Sequence, residues 1–354
     1  MTITPLEGRS PVLTSPASAL SAVYDLAMLD LDGVVYIGGS AVPGAAASIA
    51  RAREDGMRIA FVTNNAARPP GRVAEHLREL EIEAQAQDVV TSAQAAARVL
   101  RDRFGAGARI AALGAEGLVE ALAAAELEVV DVEADADAAV TGYGPDVRWR
   151  DIMRIATRIK GGLPWVASNT DGSIPTPYGE APGHGVLVDT IARFSGVTPV
   201  VAGKPSPPLL QETIRRVGGK RPLMVGDRLD TDIEGGTAVG VDTLLVMTGV
   251  TGLDELLAAP SESRPTYLAA DLSGLLVPHP EPEVTGAQTR VGGWVATVQG
   301  GSARLTGEGS AHDWWRALAH AAWAHLDATG TPVGGAGLEP PSPSAVPGGG
   351  SLPA

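Results

Sequence analysis

Asp30 and Asp32, separated by one leucine and followed at once by Gly33, put two carboxylates at the end of the apolar run Val23 to Leu29. An apolar run of that length is expected to form a buried strand. Positions i and i+2 of a strand share one side, so both acids would face one small volume. Like charges that close repel unless a cation or a proton is shared between them. Gly33 would let the backbone turn sharply off the strand. Three more groups follow apolar runs or lie in connecting loops: Thr63-Asn64, Gly203-Lys204-Pro205 and Gly226-Asp227. Together they offer carboxylates, a hydroxyl with an amide, and one ammonium. That set suits a phosphate and a hard divalent cation, and carboxylate oxygens with room for waters favour magnesium.

These groups must be carried by regular elements. Residues 1–20 are predicted to be a loose tail. Helices are expected at 43–54 and 72–80, with a strand at 58–62, the alternation of a parallel sheet covered by helices. The middle third repeats that rhythm. Helices are expected at 92–103, 116–125 and 150–160, and strands at 109–113, 127–131, 138–141 and 164–167. A long polar, Pro/Gly-rich loop then runs from Ser168 to Gly185. The first pattern resumes with helices at 186–195, 207–217, 231–238 and 253–258 and strands at 222–225 and 241–246. The segment 271–276 closes this part.

Beyond Pro278 the character changes. Strands at 291–297 and 302–306 flank Gln299-Gly300-Gly301, a hairpin pattern. A helix at 311–327 carries Trp314, Trp315 and Trp323 and needs a packing partner. Residues 329–354, rich in Gly, Pro and Ser, are expected to be disordered. In an open parallel sheet, sites collect at the carboxyl ends of strands, where the four groups fall.

The chain has 354 residues and a formal net charge of -14, which argues against nucleic acid and anionic membranes as partners. It has no cysteine, which excludes disulfides, zinc–thiolate sites and thiol nucleophiles. There is no apolar run long enough for a membrane span, and residues 1–21 lack the basic start and apolar core of a secretory signal. A cytoplasmic enzyme is the expectation.

Asp30-Leu31-Asp32-Gly33-Val34 resembles the nucleophile motif of the haloacid dehalogenase (HAD) superfamily. Val62-Thr63-Asn64-Asn65, Ala202-Gly203-Lys204-Pro205 and the stretch Val225 to Asp232 resemble its other three motifs, in order. The Thr-Asn-Asn form, the Gly-Asp-Arg-Leu form and the insertion of about 100 residues between the second and third motifs resemble the class IIA phosphatases. Ser168 to Asp171 and Ala181 to Gly185 resemble the cap segment of that branch. The likeness runs from about 25 to 277. It implies an α/β fold with a doubly wound parallel-sheet core at 21–86 plus 186–277. An α/β cap at 87–185 and a small α+β segment at 283–328 would complete it. That last segment, a hairpin and a helix, resembles a truncated acetyltransferase of the GNAT type. It lacks the glycine-rich loop for a coenzyme A pyrophosphate, so packing or regulation is expected of it and acetyl transfer is not.

The resemblance also implies roles. Asp30 would be the nucleophile and form an aspartyl-phosphate; Asp32 would be general acid for the leaving alkoxide, then general base for water. Asp30, Asp32 through its backbone carbonyl, and Asp227 would hold magnesium. Thr63, Asn64 and Lys204 would grip the phosphoryl oxygens. Asp232 would stand behind them, steadying Lys204 or a water. Taken alone, Thr63-Asn64 is as consistent with a helix cap, Lys204 with a solvated loop lysine and Asp227 with an N-cap. His184 and Arg68 are candidate substrate contacts. Asn169 and Asp171 are expected to shape the cap loop, and Asp230 to lie on the surface.

The expected substrate is a small phosphorylated metabolite. Glycerol 3-phosphate is favoured because the pattern and the C-terminal appendage resemble actinobacterial glycerol-phosphate phosphatases; phosphoglycolate is the runner-up. A non-catalytic sugar-phosphate sensor and a phosphotransferase are the other readings. Class IIA relatives often dimerise through the cap, so a homodimer is a further expectation.

Overall fold

The computed structural model describes residues 17–176 and 179–341. It divides into two compact units, Met1–Ile59 with Gly219–Ala354, and Ala60–Gly218. The tail expected at 1–20 lies outside the described residues as far as residue 16.

The first unit opens with α1 (Leu20–Val23) and β1 (Leu26–Asp30). The strand begins three residues later than the apolar run suggests. Val23 ends a helical turn, and the Asp25 carboxylate takes the main-chain N–H groups of Lys220 (2.8 Å) and Arg221 (2.9 Å). Leu26, Ala27, Met28 and Leu29 have no exposed surface. A two-residue hairpin, β2 (Tyr36–Ile37) and β3 (Ser40–Ala41), precedes α2 (Ala45–Glu54).

β4 (Arg58–Thr63) leads into the second unit and pairs in parallel with β5 (Val89–Thr91), with α3 (Pro70–Glu79) between them. Then follow α4 (Ser92–Phe104), β6 (Arg109–Leu113), α5 (Glu116–Ala124), β7 (Glu128–Val130), β8 (Ala138–Thr141), α6 (Trp149–Lys160) and β9 (Trp165–Ala167). The stretch 168–185, expected to be loop throughout, contains an antiparallel pair, β10 (Ser173–Thr176) and β11 (Gly179–Pro182), and the first residue of α7 (His184–Ser195). Backbone groups in so long a loop need partners, and the two arms supply them to each other. The unit ends with β12 (Val200–Val201) and α8 (Pro208–Val217). β6 to β9 and β12 form a five-stranded parallel sheet in the order β12-β9-β8-β6-β7. Ile155, Ile159, Trp165, Val188 and Ile191 are among the side chains buried in this unit's core.

The first unit resumes with β13 (Pro222–Gly226), paired in parallel with β1 from Leu26↔Pro222 to Leu29↔Val225. The helix expected at 231–238 is a π-helical turn, Leu229–Ile233, continued by α9 (Glu234–Ala238). β14 (Asp242–Val246), α10 (Leu253–Leu257) and β15 (Tyr267–Ala269) follow, giving the run β15-β14-β13-β1. β15 is three residues long, too short for any periodicity to announce it.

The C-terminal part is more than a hairpin. Gly292, with φ +55°, and Gly293 break the expected strand 291–297 in two. A four-stranded antiparallel sheet results: β16 (Glu283–Thr285), β17 (Gln288–Val291), β18 (Trp294–Gln299) and β19 (Ser302–Gly307). Gly300 and Gly301 make the last turn with φ of +58° and +77°, the left-handed pair that a tight hairpin requires.

α11 (Ala311–Thr329) is capped by Ser310, whose side chain accepts from Asp313 N (3.1 Å), and ends at Gly330 in the left-handed region. Its tryptophans join Leu245, Leu256, Leu257 and Leu268 in one buried cluster. The Arg264 guanidinium reaches Asp327 through two bonds of 2.8 and 2.6 Å and lies over the Trp323 ring. Residues 329–354 were expected to be disordered. Those to 341 are placed: Val333 is buried in the α11 cluster, and Gly335 N donates to Asp254 (2.9 Å). The remainder, 342–354, lies outside the described residues.

Trp323 is 4 % exposed, and its indole N–H donates to the Leu256 carbonyl at 2.8 Å. Trp323→Ala removes both the ring and that bond, so it is expected to cost about 3–5 kcal/mol. Urea unfolding followed by far-UV circular dichroism measures the loss.

Candidate active site

In the first unit, Asp30 ends β1, Asp227 follows β13, and Asp232 sits in the π-helical turn. Each contributes a carboxylate oxygen to a group whose members all lie within 4.8 Å of one another. Asp227 and Asp232 are fully buried, and Asp30 is half-buried. Asp232 is thus the third of the converging acids. Its Oδ2 accepts from the main-chain N–H groups of Asp227 (3.2 Å) and Arg228 (3.1 Å), which brings the two ends of that turn together. Asp227 Oδ2 accepts from Val250 N at 2.6 Å.

Glycines make the close approach possible. Gly33 has φ +86°, and a Cβ there or on Gly249 would collide with the Asp227 carboxylate. A Cβ on Gly226 would collide with Asp232. Hard carboxylate donors held this way, Asp30 and Asp227 with Asp232 beside them, fit a small divalent cation with oxygen preference, magnesium above softer metals.

Asp32 is not a member of this carboxylate group. β1 stops at Asp30, and residues 31–36 form a tight turn in which Gly33 N donates to Tyr36 O (2.8 Å) and Tyr36 N to Leu31 O (3.1 Å). The pair straddles the end of the strand, Asp30 as its last residue and Asp32 in the turn beyond it. Asp32 is exposed.

In the second unit, Thr63 ends β4, Asn64 follows, and Lys204 lies beyond β12; all three are buried. Thr63 Oγ1 accepts from Asn65 N (3.1 Å). Asn64 Oδ1 accepts from Lys204 N (2.8 Å), while its Nδ2 donates to Lys204 O (3.1 Å) and to Asp171 Oδ1 (2.9 Å). Both amide hydrogens are committed, so the side chain has no donor left for a phosphate. In this structure the amide holds the backbone of Lys204. Asn169 adds a bond from Nδ2 to Asn64 O at 2.7 Å. Asn169 and Asp171 therefore position Asn64, a role that was hidden because it runs through contacts over a hundred residues apart in the chain.

His184 and Arg68 fare differently from each other. Arg68 is exposed. The His184 ring is 3 % exposed and lies 3.2 Å from Thr141 Oγ1, so it is a core histidine of this unit. Asp230 is exposed and paired with Arg228.

A model of the haloacid dehalogenase-like hydrolases matches residues 27–128, and a HAD-hydrolase-like model matches 201–275. The chain belongs to the haloacid dehalogenase-like hydrolases. Among its relatives, the D-glycerol 3-phosphate phosphatase of Mycobacterium tuberculosis is 41% identical over 287 residues, covering 79% of this chain and 80% of that protein. The acid sugar phosphatase of Staphylococcus aureus is 34% identical over 71% of this chain and 96% of its own. The crystal structure of the M. tuberculosis glycerol phosphate phosphatase in complex with magnesium superposes with a TM-score of 0.78 at 37% identity, covering 89% of this chain and 94% of that one.

Burial pushes His184 down from its usual 6.5 to about 4. The native state then holds the ring neutral where the unfolded chain would protonate it, so stability falls as pH drops from about 6.5 toward 4. A shift of that size corresponds to up to about 3 kcal/mol. Denaturant unfolding from pH 7 to 4 is expected to show a shallower acid loss in His184→Gln than in the wild type.

Proposed function

We propose that the chain is a magnesium-dependent phosphomonoester hydrolase acting through an aspartyl-phosphate, with glycerol 3-phosphate as the favoured substrate. The observation that carries the reaction type is the convergence of Asp30, Asp227 and Asp232, from segments about two hundred residues apart, within 4.8 Å. The choice of substrate is supported by the 41% identity with a D-glycerol 3-phosphate phosphatase over most of both chains.

Magnesium held by Asp30, Asp227 and the Asp32 carbonyl would neutralise charge on the phosphoryl oxygens. Asp30 attacks phosphorus while the ester oxygen leaves and takes a proton from Asp32. Asp32, now ionised, removes a proton from water, which attacks the aspartyl-phosphate and returns Asp30 and inorganic phosphate. A carboxylate suits the first step because it is ionised at neutral pH without an activating base. Lys204 and the Thr63 hydroxyl bind phosphoryl oxygens, Asn64 fixes the Lys204 backbone, and Asp232 holds the Asp227–Arg228 turn. Because the charge on those oxygens redistributes in the transition state, fixed donors accelerate more than mobile ones would.

The five-stranded sheet of the second unit and its helices are assigned to the cap. The C-terminal sheet and α11 form a packing or regulatory module without acetyl transfer. Among the described residues no helix is long and apolar enough to cross a membrane. A cytoplasmic location and a homodimer complete the proposal.

Phosphate release from glycerol 3-phosphate and from p-nitrophenyl phosphate tests it. Asp30→Asn is expected to lose at least ~10³-fold in kcat, in line with removal of a nucleophile. Chelation of magnesium should abolish turnover and its return restore it. Equal rates for mutant and wild type would end the aspartyl-phosphate mechanism.

A further inference from the structure

In the first unit, β1, β13 and β14 lie side by side and end together: Leu29 is opposite Val225, and Gly226 is opposite Leu245. Asp227, just past the middle strand, therefore stands between two loops. One is the turn 31–36, which carries Asp32 off β1; the other is the segment 247–251, which leaves β14. β1 and β14 are two strand spacings apart, about 9.5 Å. The loops nevertheless meet over Asp227. A Cβ on Gly33 would sit 3.0 Å from the Gly249 Cα, and the half-buried Thr248 donates from Oγ1 to Gly33 O at 2.5 Å.

The segment 248–251 is a clasp with a hold on each side. Val250 N donates to Asp227 Oδ2 (2.6 Å), and Thr251 N donates to Asp227 O (3.1 Å). Those two bonds fix the segment to the end of the middle strand. The Thr248 hydroxyl then fixes the turn to the segment.

The turn needs that second hold because of its glycine. Gly33 has φ +86°, and a Cβ there would strike the Asp227 carboxylate, so a stiffer residue has no room. Glycine has the greatest backbone freedom of any residue, and this one directly follows Asp32. The peptide before it is held from within the turn, by Gly33 N donating to Tyr36 O at 2.8 Å. The peptide after it has a weak inner tie, Val34 N to Leu31 O at 3.4 Å, and a short outer one to Thr248. Without the hydroxyl, the hinge beside Asp32 is restrained on one side only.

We propose that Thr248 is a positioning residue for the Asp32 carboxyl group, acting through Gly33 O; the assignment rests on the phosphatase reading above. As Asp30 bonds to phosphorus and the ester P–O bond breaks, an alkoxide leaves with the proton of Asp32. A p-nitrophenolate is stable enough to leave without one. Loss of Thr248 therefore slows the two kinds of ester unequally, which a general loosening of the fold would not do.

The test measures kcat/KM, which reports the bond-breaking step, at saturating magnesium for glycerol 3-phosphate and p-nitrophenyl phosphate. Thr248→Val keeps the shape and removes the hydroxyl; Thr248→Ser keeps the hydroxyl. General acid catalysis is worth ~10²–10⁴-fold and a misplacement of ~1 Å costs up to ~10²-fold, so Thr248→Val is expected to lose about tenfold or more on glycerol 3-phosphate. Its loss on p-nitrophenyl phosphate is expected to stay within about threefold, and Thr248→Ser to recover both esters, since only the proton transfer is disturbed. Equal losses on the two esters, no loss on either, or a serine variant no better than valine overturns the proposal. If Thr248→Val does not fold, Thr248→Ala against Thr248→Ser carries the same comparison. Glucose 6-phosphate replaces glycerol 3-phosphate if it alone of the two is cleaved. A wild type that cleaves p-nitrophenyl phosphate but no alkyl ester has no acid to position, and the proposal falls. A wild type that cleaves no ester at all ends the phosphatase reading and this assignment with it.

Discussion

Mutual repulsion among three carboxylates is the constraint around which the first unit is arranged. Oxygens of Asp30, Asp227 and Asp232 lie within 4.8 Å of one another, and two of the acids are fully buried. At an effective dielectric constant near 20, each ionised pair at that range opposes folding by on the order of 3 kcal/mol. Main-chain N–H groups from Asp227, Arg228 and Val250 offset part of this. A divalent cation offsets the rest, and its binding would then be coupled to the stability of the unit. The fold accepts the repulsion because β1 and β13 run side by side in register and end together, delivering Asp30 and Asp227 to one edge of the sheet.

The second unit solves a different problem, that of holding a buried lysine. Asn64 meets both the N–H and the carbonyl of Lys204, so one carboxamide fixes the backbone that carries the ammonium. Asp171 and Asn169 hold Asn64 and its carbonyl in turn. A side chain that has the chemistry to bind phosphate is used here to read backbone.

Much of this was legible in the sequence, and what was not has physical reasons. Long periodic helices such as α4 and α6, and strands bounded by turn residues such as β6 and β8, announce themselves through apolar spacing. The acids at 30 and 227 stand out because each follows an apolar run. The engagement of Asn64 was invisible because amide partners more than a hundred residues away leave no local trace. Asp32 looked like a strand residue because alternation says nothing about where pairing stops. β15 and the pair β10–β11 are too short for a period, and the Gly292-Gly293 break became readable only with the two strands in place. Val333 was lost in a Gly/Pro-rich context that hides one good core side chain.

The ties at Asn64 carry one more implication. Everything from residue 93 to 168 leaves beside Ser92, which donates to Asn64 O, and returns to Asn169, Asp171 and Lys204, which are tied to the same asparagine. The ends of that long excursion are pinned whatever lies between them. Closing a loop costs only about 0.6 kcal/mol more for each doubling of its length. A lineage could therefore exchange, enlarge or shrink the whole excursion while the lysine stayed where it is, leaving the reaction untouched as the choice of molecule drifted.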